Sequence, residues 1–304
     1  MNQPLVSVIV PNYNHGSYLE KRLDTVLNQT YQNIEVIILD DKSTDNSLDV
    51  INKYRNHPKV SQIIVNGQNT GSPFKQWDKG INIAKGELIW IAESDDYNDL
   101  TFLDEMISEW IKHKNVVVAF SNYIMFRNNE ITKYKERKNQ CFHGVNFIRN
   151  RQVRGNYILN ASGALFSKQI YYKISKRFLS FKSAGDYMFW IEMLQYGSVV
   201  KVNKNLTYWR LHNASVTSKN ILKGILAQED KNIFDYIVMN YKLNKWQYEI
   251  ALSAHRRYHH GFVYESDEIK EEVYKLWSID NVSITNKVIL WLISTIERHL
   301  SILI

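Results

Sequence analysis

Along the first 125 residues, apolar positions alternate between two periods. The run "LVSVIV" (5 to 10) is β-branched and stopped by Pro11 and Asn12, which suits a buried parallel strand. In "GSYLEKRLDTVLNQT", Leu19, Leu23, Val26 and Leu27 fall at helical spacing, and Ser17 precedes Glu20 by three residues as in a capping box. The same order recurs: "IEVIILDD" (34 to 41) as strand, Asp45 to Arg55 as helix, "VSQIIV" (60 to 65) as strand, "PFKQWDKGINIAK" (73 to 85) as helix, "ELIWIA" as strand. A helix at about 101 to 113 and a strand "VVVAFSN" (116 to 122) continue it. Such alternation across short loops predicts right-handed βαβ units and an α/β fold with a mostly parallel sheet covered on both faces.

Past residue 123 the pattern is less regular, with Tyr- and Phe-rich strands predicted at 123 to 135 and 157 to 166, a helix near 186 to 196, and strands near 199 to 203 and 206 to 211. From about 220 the period is helical to the end, through "GILAQEDKNIFDYIVMNYKL" and "TNKVILWLISTIERHLSIL". The change of character between Asn213 and Lys219 predicts a first domain over 1–217, with halves at about 1–125 and 126–217, and an α-helical C-terminal extension over 218–304.

Composition narrows this little: 304 residues, 44% hydrophobic and 23% charged, are ordinary for a globular protein. Cys141 is the single cysteine, which excludes an internal disulfide, a Cys-rich zinc site and an iron–sulfur cluster. The opening "MNQPLVSVIVPNYN" lacks the basic and long apolar regions of a signal peptide, and "VILWLI" (288 to 293) is far shorter than the roughly 20 residues that span a bilayer. A cytoplasmic protein is expected, with peripheral contact at the inner face of the membrane left open. The net charge of +7 is uneven, because no carboxylate lies between Glu136 and Asp186 while ten Lys and Arg residues accumulate there. That stretch fits either a solvated basic face or the approach of an anionic ligand.

In an open parallel sheet, ligands bind outside the carboxyl ends of the strands. The predicted strands end at Pro11-Asn12-Tyr13-Asn14, Asp40-Asp41, Asn66-Gly67 and Glu93-Ser94-Asp95-Asp96. Three carboxylates within four positions repel one another unless something positive lies between them. No glycine-rich phosphate loop is present, so a nucleotide's phosphates would be held through a hard cation on one or two aspartates. The competing reading is that Asp95 or Asp96 caps the next helix.

The stretches "VSVIVPNYNHGSYLEKRLDTVLNQTYQNIEVIILDDKSTDNS" and "NTGSPFKQWDKGINIAKGELIWIAESDD" resemble the nucleotide-binding half of the family 2 glycosyltransferases, strongly over residues 4 to 125 and more weakly to about 217. The resemblance implies a Rossmann-like GT-A fold and an inverting, metal-dependent transfer from a nucleoside-diphosphate sugar, UDP favoured, to a glycan or lipid-linked acceptor, as in bacterial surface polysaccharide synthesis. It implies that Pro11 and Tyr13 pack on the base and that Asp41 accepts a hydrogen bond from it. Asp96 and Asp95 would hold Mg²⁺ or Mn²⁺, and Asp186 in "SAGDYMFWIEM" would be the general base. In "YWRLHNASVT" Arg210 would pair with phosphate and His212 would complete the metal shell, although His212 reads equally as a structural residue. Either Lys75 or the basic region would give the diphosphate a further cation. Asp186 also reads as a plain first-turn or N-cap residue. Two departures stand out: Glu93 occupies the place of the acidic motif's usual first aspartate, and Trp77-Asp78 that of a frequent Arg-Asn pair. Trp77 reads as a core anchor.

Two alternatives are a sugar-phosphate nucleotidyltransferase, against which "PNYNHGSYL" lacks the basic Gly-rich loop, and a non-catalytic nucleotide- or carbohydrate-binding subunit. A nucleic-acid partner is not expected. In "HRRYHH" (255 to 260), His255 and His259 share the i, i+4 spacing of helical zinc sites, but the flanking arginines make a solvated helix face the expected reading. The terminal stripe Ile284, Val288, Trp291, Leu292, Thr295, Ile296, Leu300 and Leu303 fits packing on the first domain or a homodimer partner, or docking on a membrane surface.

Overall fold

The structure, a computed structural model, describes residues 3–127, 130–210 and 216–278. In chain order its elements are β1 (Val6–Asn12), α1 (Gly16–Leu27), β2 (Ile34–Asp40), α2 (Ser47–Lys53), β3 (Val60–Val65), α3 (Pro73–Ile83), β4 (Leu88–Ile91), β5 (Tyr97–Asn98), α4 (Phe102–Trp110), β6 (Val116–Arg127), β7 (Glu130–Lys133) and β8 (Gln140–His143). These are followed by α5 (Gly144–Asn150), β9 (Ala164–Ser167), α6 (Lys168–Tyr171), α7 (Gly185–Leu194), β10 (Ser198–Arg210), α8 (Val216–Leu222), α9 (Ile225–Asn240), α10 (Lys245–His260) and α11 (Asp267–Leu276). The chain divides into a sheet unit, Met1–Phe142 with Asn160–Ser175 and Tyr196–Leu211, and a helical unit, His143–Leu159 with Lys176–Gln195 and His212–Ile304. The helical unit therefore takes in two segments that precede residue 217.

In the sheet unit, β1 and β2 are buried along their whole length, as continuous apolar runs covered on both faces should be. Helix α1 buries Leu19, Leu23 and Val26 against them, as its spacing predicts. Its start differs from the expected capping box: the helix begins at Gly16, Ser17 lies inside the first turn, and the Gly16 amide donates to Asp45 Oδ2 at 2.8 Å. A Cβ on Gly16 would meet the Ser47 backbone nitrogen at 2.9 Å as well as the Asn46 side chain, so the close approach of the two loops favours glycine.

The sheet order is β3-β2-β1-β4-β9-β6-β10-β5, with β7 on β6 and β8 on β10. Strands β3, β2, β1 and β4 are parallel neighbours, which brings the ends of β1, β2 and β4 to one edge. The parallel run stops there, because β9 inserts antiparallel between β4 and β6, with Leu165 opposite both Trp90 and Ala119. The strand predicted at 157 to 166 is thus only Ala164–Ser167, and those predicted at 116 to 122 and 123 to 135 begin as one 12-residue strand. The two predicted near 199 to 211 form a single strand whose register shifts between Val202 and Thr207. Val8, Val10, Ile38, Trp90, Phe102 and Leu165 belong to the core of this unit.

In the helical unit, every residue of α7 except Asp186 is buried, as expected of a helix apolar all round. Helix α10 opens on a full capping box of Asn244 and Gln247. The predicted terminal stripe from Ile284 to Leu303 lies outside the described residues, among which no helix is long and apolar enough to cross a membrane.

Candidate active site

The acidic turn sits between β4 and β5, where the Asp96 amide donates back to the Glu93 carbonyl at 3.2 Å. Helix α4 has Thr101 as its N-cap, so neither Asp95 nor Asp96 caps it. Asp96 is 1% exposed. Its Oδ2 accepts from Asn160 Nδ2 (2.7 Å) and Ser162 Oγ (2.9 Å), both in the turn that leads into β9, and Oδ1 accepts from the Arg210 amide at 3.1 Å. Antiparallel pairing of Tyr97 with Tyr208 carries Arg210 to this place. There its guanidinium donates to the Asp95 carbonyl at 2.6 Å and lies 4.7 Å from the Tyr97 ring centre.

Beneath the turn lies Arg22, fully buried, which sequence reasoning did not single out. It donates to the Glu93 carbonyl (2.7 Å), Asn98 Oδ1 (2.6 Å) and Ser162 Oγ (3.1 Å). Burial lowers its pKa to about 10, with Asp96, Asp95 and Glu93 opposing the shift, so it remains a cation at neutral pH. Part of the positive charge that the clustered carboxylates demand is therefore built into the fold. Replacing Arg22 by Met should cost about 3–5 kcal/mol of stability, as removal of one partner from a buried charge cluster does. Chemical denaturation measures this, and a midpoint equal to wild type would contradict the role.

Desolvation, with repulsion from Asp95, pushes the Asp96 carboxyl up, and the same two causes raise Glu93 to about 8. Glu93 Oε1 accepts from Trp77 Nε1 at 2.8 Å, so the two unusual residues of this sequence are bonded to each other. Trp77 is 2% exposed and packs edge-on against Phe74, a core anchor whose one polar atom is taken by Glu93. Asp95 and Asp96 together offer the hard oxygen ligands that Mg²⁺ or Mn²⁺ takes. Among the described residues Asp96 Oδ1 accepts one hydrogen bond, which leaves a lone pair for such an ion, so the residues fit it.

On the same edge, Asp41 follows β2 and is buried. Its Oδ1 accepts from Asn66 Nδ2 (2.6 Å), Gln76 Nε2 (2.9 Å) and the Thr70 amide (3.0 Å), and Oδ2 accepts from Thr70 Oγ1 at 2.8 Å and shares that amide. Oδ2 is the less crowded oxygen. Nearby acceptors Gln76 Oε1 and Asn12 Oδ1 are buried with no hydrogen-bond partner among the described residues. Pro11 is buried within β1, Tyr13 just beyond the strand is 46% exposed, and Lys75 is exposed in the first turn of α3. His212 lies outside the described residues.

In the helical unit, Asp186 is half-buried in the first turn of α7. It accepts from Asn156 Nδ2 on Oδ2 (2.9 Å) and from the Tyr187 amide on Oδ1 (2.8 Å). Desolvation raises its carboxyl to about 7, helped by the charge of Asp230 and opposed by these hydrogen bonds. A carboxyl poised near neutrality suits proton transfer. The histidines of "HRRYHH" correct the expectation of a solvated face: His255 and His259 are each 1% exposed and turned inward, while Arg257 points to solvent.

Residues 7–174 match the profile of Glycosyl transferase family 2. This chain belongs to that family. Its sequence is 31% identical over 229 residues to the UDP-Glc:alpha-D-GlcNAc-diphosphoundecaprenol beta-1,3-glucosyltransferase WfaP of Escherichia coli, covering 74% of this chain and 84% of that one. Among solved structures, S. aureus TarS 1-349 in complex with UDP-GlcNAc superposes with a TM-score of 0.69 at 20% identity, over 90% of this chain and 78% of that one. The mannosyltransferase PcManGT from Pyrobaculum calidifontis, in complex with GDP-Man and Mn²⁺, does so with a TM-score of 0.58 at 16% identity, over 97% and 81%. The family 2 glycosyltransferase thus has the expected GT-A fold, with helices following its sheet.

Proposed function

We propose that this family 2 glycosyltransferase moves a sugar from a UDP-sugar to a hydroxyl of a glycan or lipid-linked acceptor, with inversion at the anomeric carbon, in the making of a bacterial surface polysaccharide. The observation that carries the reading is the shared edge of β2 and β4, where Asp41 stands in a nest of donors and Asp95-Asp96 forms an acidic turn. Tyr13 and Pro11 flank the base, and the imide N–H of uracil donates to Asp41, with Gln76 Oε1 as a neighbouring acceptor. Arg210 and Lys75 meet the diphosphate. A divalent ion on Asp95 and Asp96, with His212 as a further ligand, supplies charge neutralisation for the leaving group when bound. Asp186 takes the proton of the acceptor hydroxyl, whose oxygen forms the new bond to the anomeric carbon as the bond to UDP breaks on the opposite side. UDP and lipid-linked acceptors are supported by what TarS binds and by the reaction that WfaP is named for, and the metal by the Mn²⁺ in the PcManGT complex.

A panel of nucleoside-diphosphate sugars, screened by thermal shift with and without Mn²⁺, tests the donor. A UDP-sugar is expected to stabilise the protein only when the metal is present, because a ligand raises stability in proportion to ln(1 + [L]/Kd). A shift given equally by every nucleotide, or without metal, would count against the assignment. The anomeric configuration of the product, read by NMR, tests inversion.

A further inference from the structure

Helices α9 and α10 bring together a second set of metal-ligating groups, entirely within the helical unit. Asp230 on α9 and His255 and His259 on α10 are all buried, and one donor atom from each lies within 4.8 Å of the others. His255 Nε2 is 3.1 Å from the Val153 carbonyl oxygen, which can only accept, so that nitrogen carries the proton and Nδ1 presents the lone pair of the neutral ring. Metal-ligating histidines are oriented by hydrogen bonds of this kind. His259 Nε2 is buried and makes no hydrogen bond among the described residues, although Asp230 Oδ2 lies 3.0 Å away. The two atoms are close without being aligned as donor and acceptor, an arrangement that suits two ligands of one ion better than a hydrogen-bonded pair. Ligands about 2.0–2.2 Å from a tetrahedral ion lie roughly 3.3–3.6 Å from one another, within reach of small side-chain shifts here. Trp277, fully buried, stacks nearly parallel on both imidazoles at 4.6 and 5.3 Å and covers one side of the group. The nearby ammonium of Lys231 is engaged at 2.7 Å by Asp235.

We propose that Asp230, His255 and His259 bind a structural zinc ion that ties α9 to α10, with a water as the fourth ligand. Two imidazoles and one carboxylate favour zinc over Mg²⁺ or Mn²⁺, which prefer all-oxygen sites. The ion is separate from the one assigned to Asp95 and Asp96, since the two ligand sets share no residue.

The test uses the full chain purified without a polyhistidine tag and desalted, with metal content read by mass spectrometry. Roughly one zinc per chain is expected. His255→Gln/His259→Gln should lose it, and Asp96→Asn should keep it. Wild type stripped by a chelator should melt at a lower temperature and recover with Zn²⁺ but not with Mg²⁺. Co²⁺ added to stripped wild type should give the visible absorption of a tetrahedral site, a readout that stands even where the double variant does not fold. The proposal is overturned by wild type that holds no zinc after incubation with it, by the double variant retaining its equivalent, or by a Co²⁺ spectrum no different from that of free ion.

Discussion

Asp96→Asn is expected to lower nucleotide-sugar turnover by at least about a hundredfold, or about 2.7 kcal/mol of barrier, and to abolish the dependence of UDP affinity on Mn²⁺. The substitution removes one of two carboxylates that fit the ion and keeps the side chain's size. It also puts an amide where Asp96 accepts from Asn160 and Ser162 on one oxygen and from the Arg210 amide on the other, so one of these contacts is lost. That loss costs about 1–3 kcal/mol of stability, offset in part by relief of the repulsion from Asp95. Because folding is perturbed so modestly, the decisive measurement is calorimetry of UDP with and without Mn²⁺ on protein shown to be folded by circular dichroism. Unchanged metal-dependent affinity would remove Asp96 from the site.

Asp186→Asn should lower kcat by about 10²- to 10⁴-fold while leaving the KM for the donor near its wild-type value. The variant retains its geometry: the new amide oxygen still accepts from the Tyr187 amide, and Asn156 remains tied through its own Oδ1 to the Ile158 amide at 3.1 Å. A proton acceptor must be ionised, and burial raises this carboxyl to about 7. As pH falls through that value the ionised fraction shrinks, so wild-type kcat/KM should drop about tenfold per pH unit on the acid side. An acid limb near pH 4, where an ordinary aspartate titrates, or full turnover by Asp186→Asn, would assign the proton to another group.

Much of the sheet unit is legible in its sequence because local pattern and burial agree there. β1, β2, β4, α1 and α3 follow from apolar spacing, and the acidic turn follows from where the β4 run stops. Strand β9 does not, since Ala164–Ser167 is a four-residue apolar run whose antiparallel place is set by partners far away in the chain. Arg22 was hidden by its type: arginine is almost never fully buried unless paired, and its partners are spread over three segments. Glu93 and Trp77 each stood out as departures from the family pattern, but only the fold makes them one hydrogen-bonded pair. For His255 and His259 a usable signal existed. The buried stripe of α10 runs from Leu252 through both histidines at helical spacing, and Arg257 lies exposed off that stripe.

Ser162 has a consequence for how the enzyme comes into being. Its hydroxyl bonds Arg22, Asp96 and the Glu93 amide, and its carbonyl accepts from Trp90 and Asn98. A ribosome that has released only the first 125 residues has made every donor-side aspartate, Arg22 and the donors around Asp41, but none of the three residues that hold the Asp96 carboxylate. Nucleotide affinity should therefore arise late in translation, after the stretches carrying Asn160, Ser162 and Arg210 have left the exit tunnel.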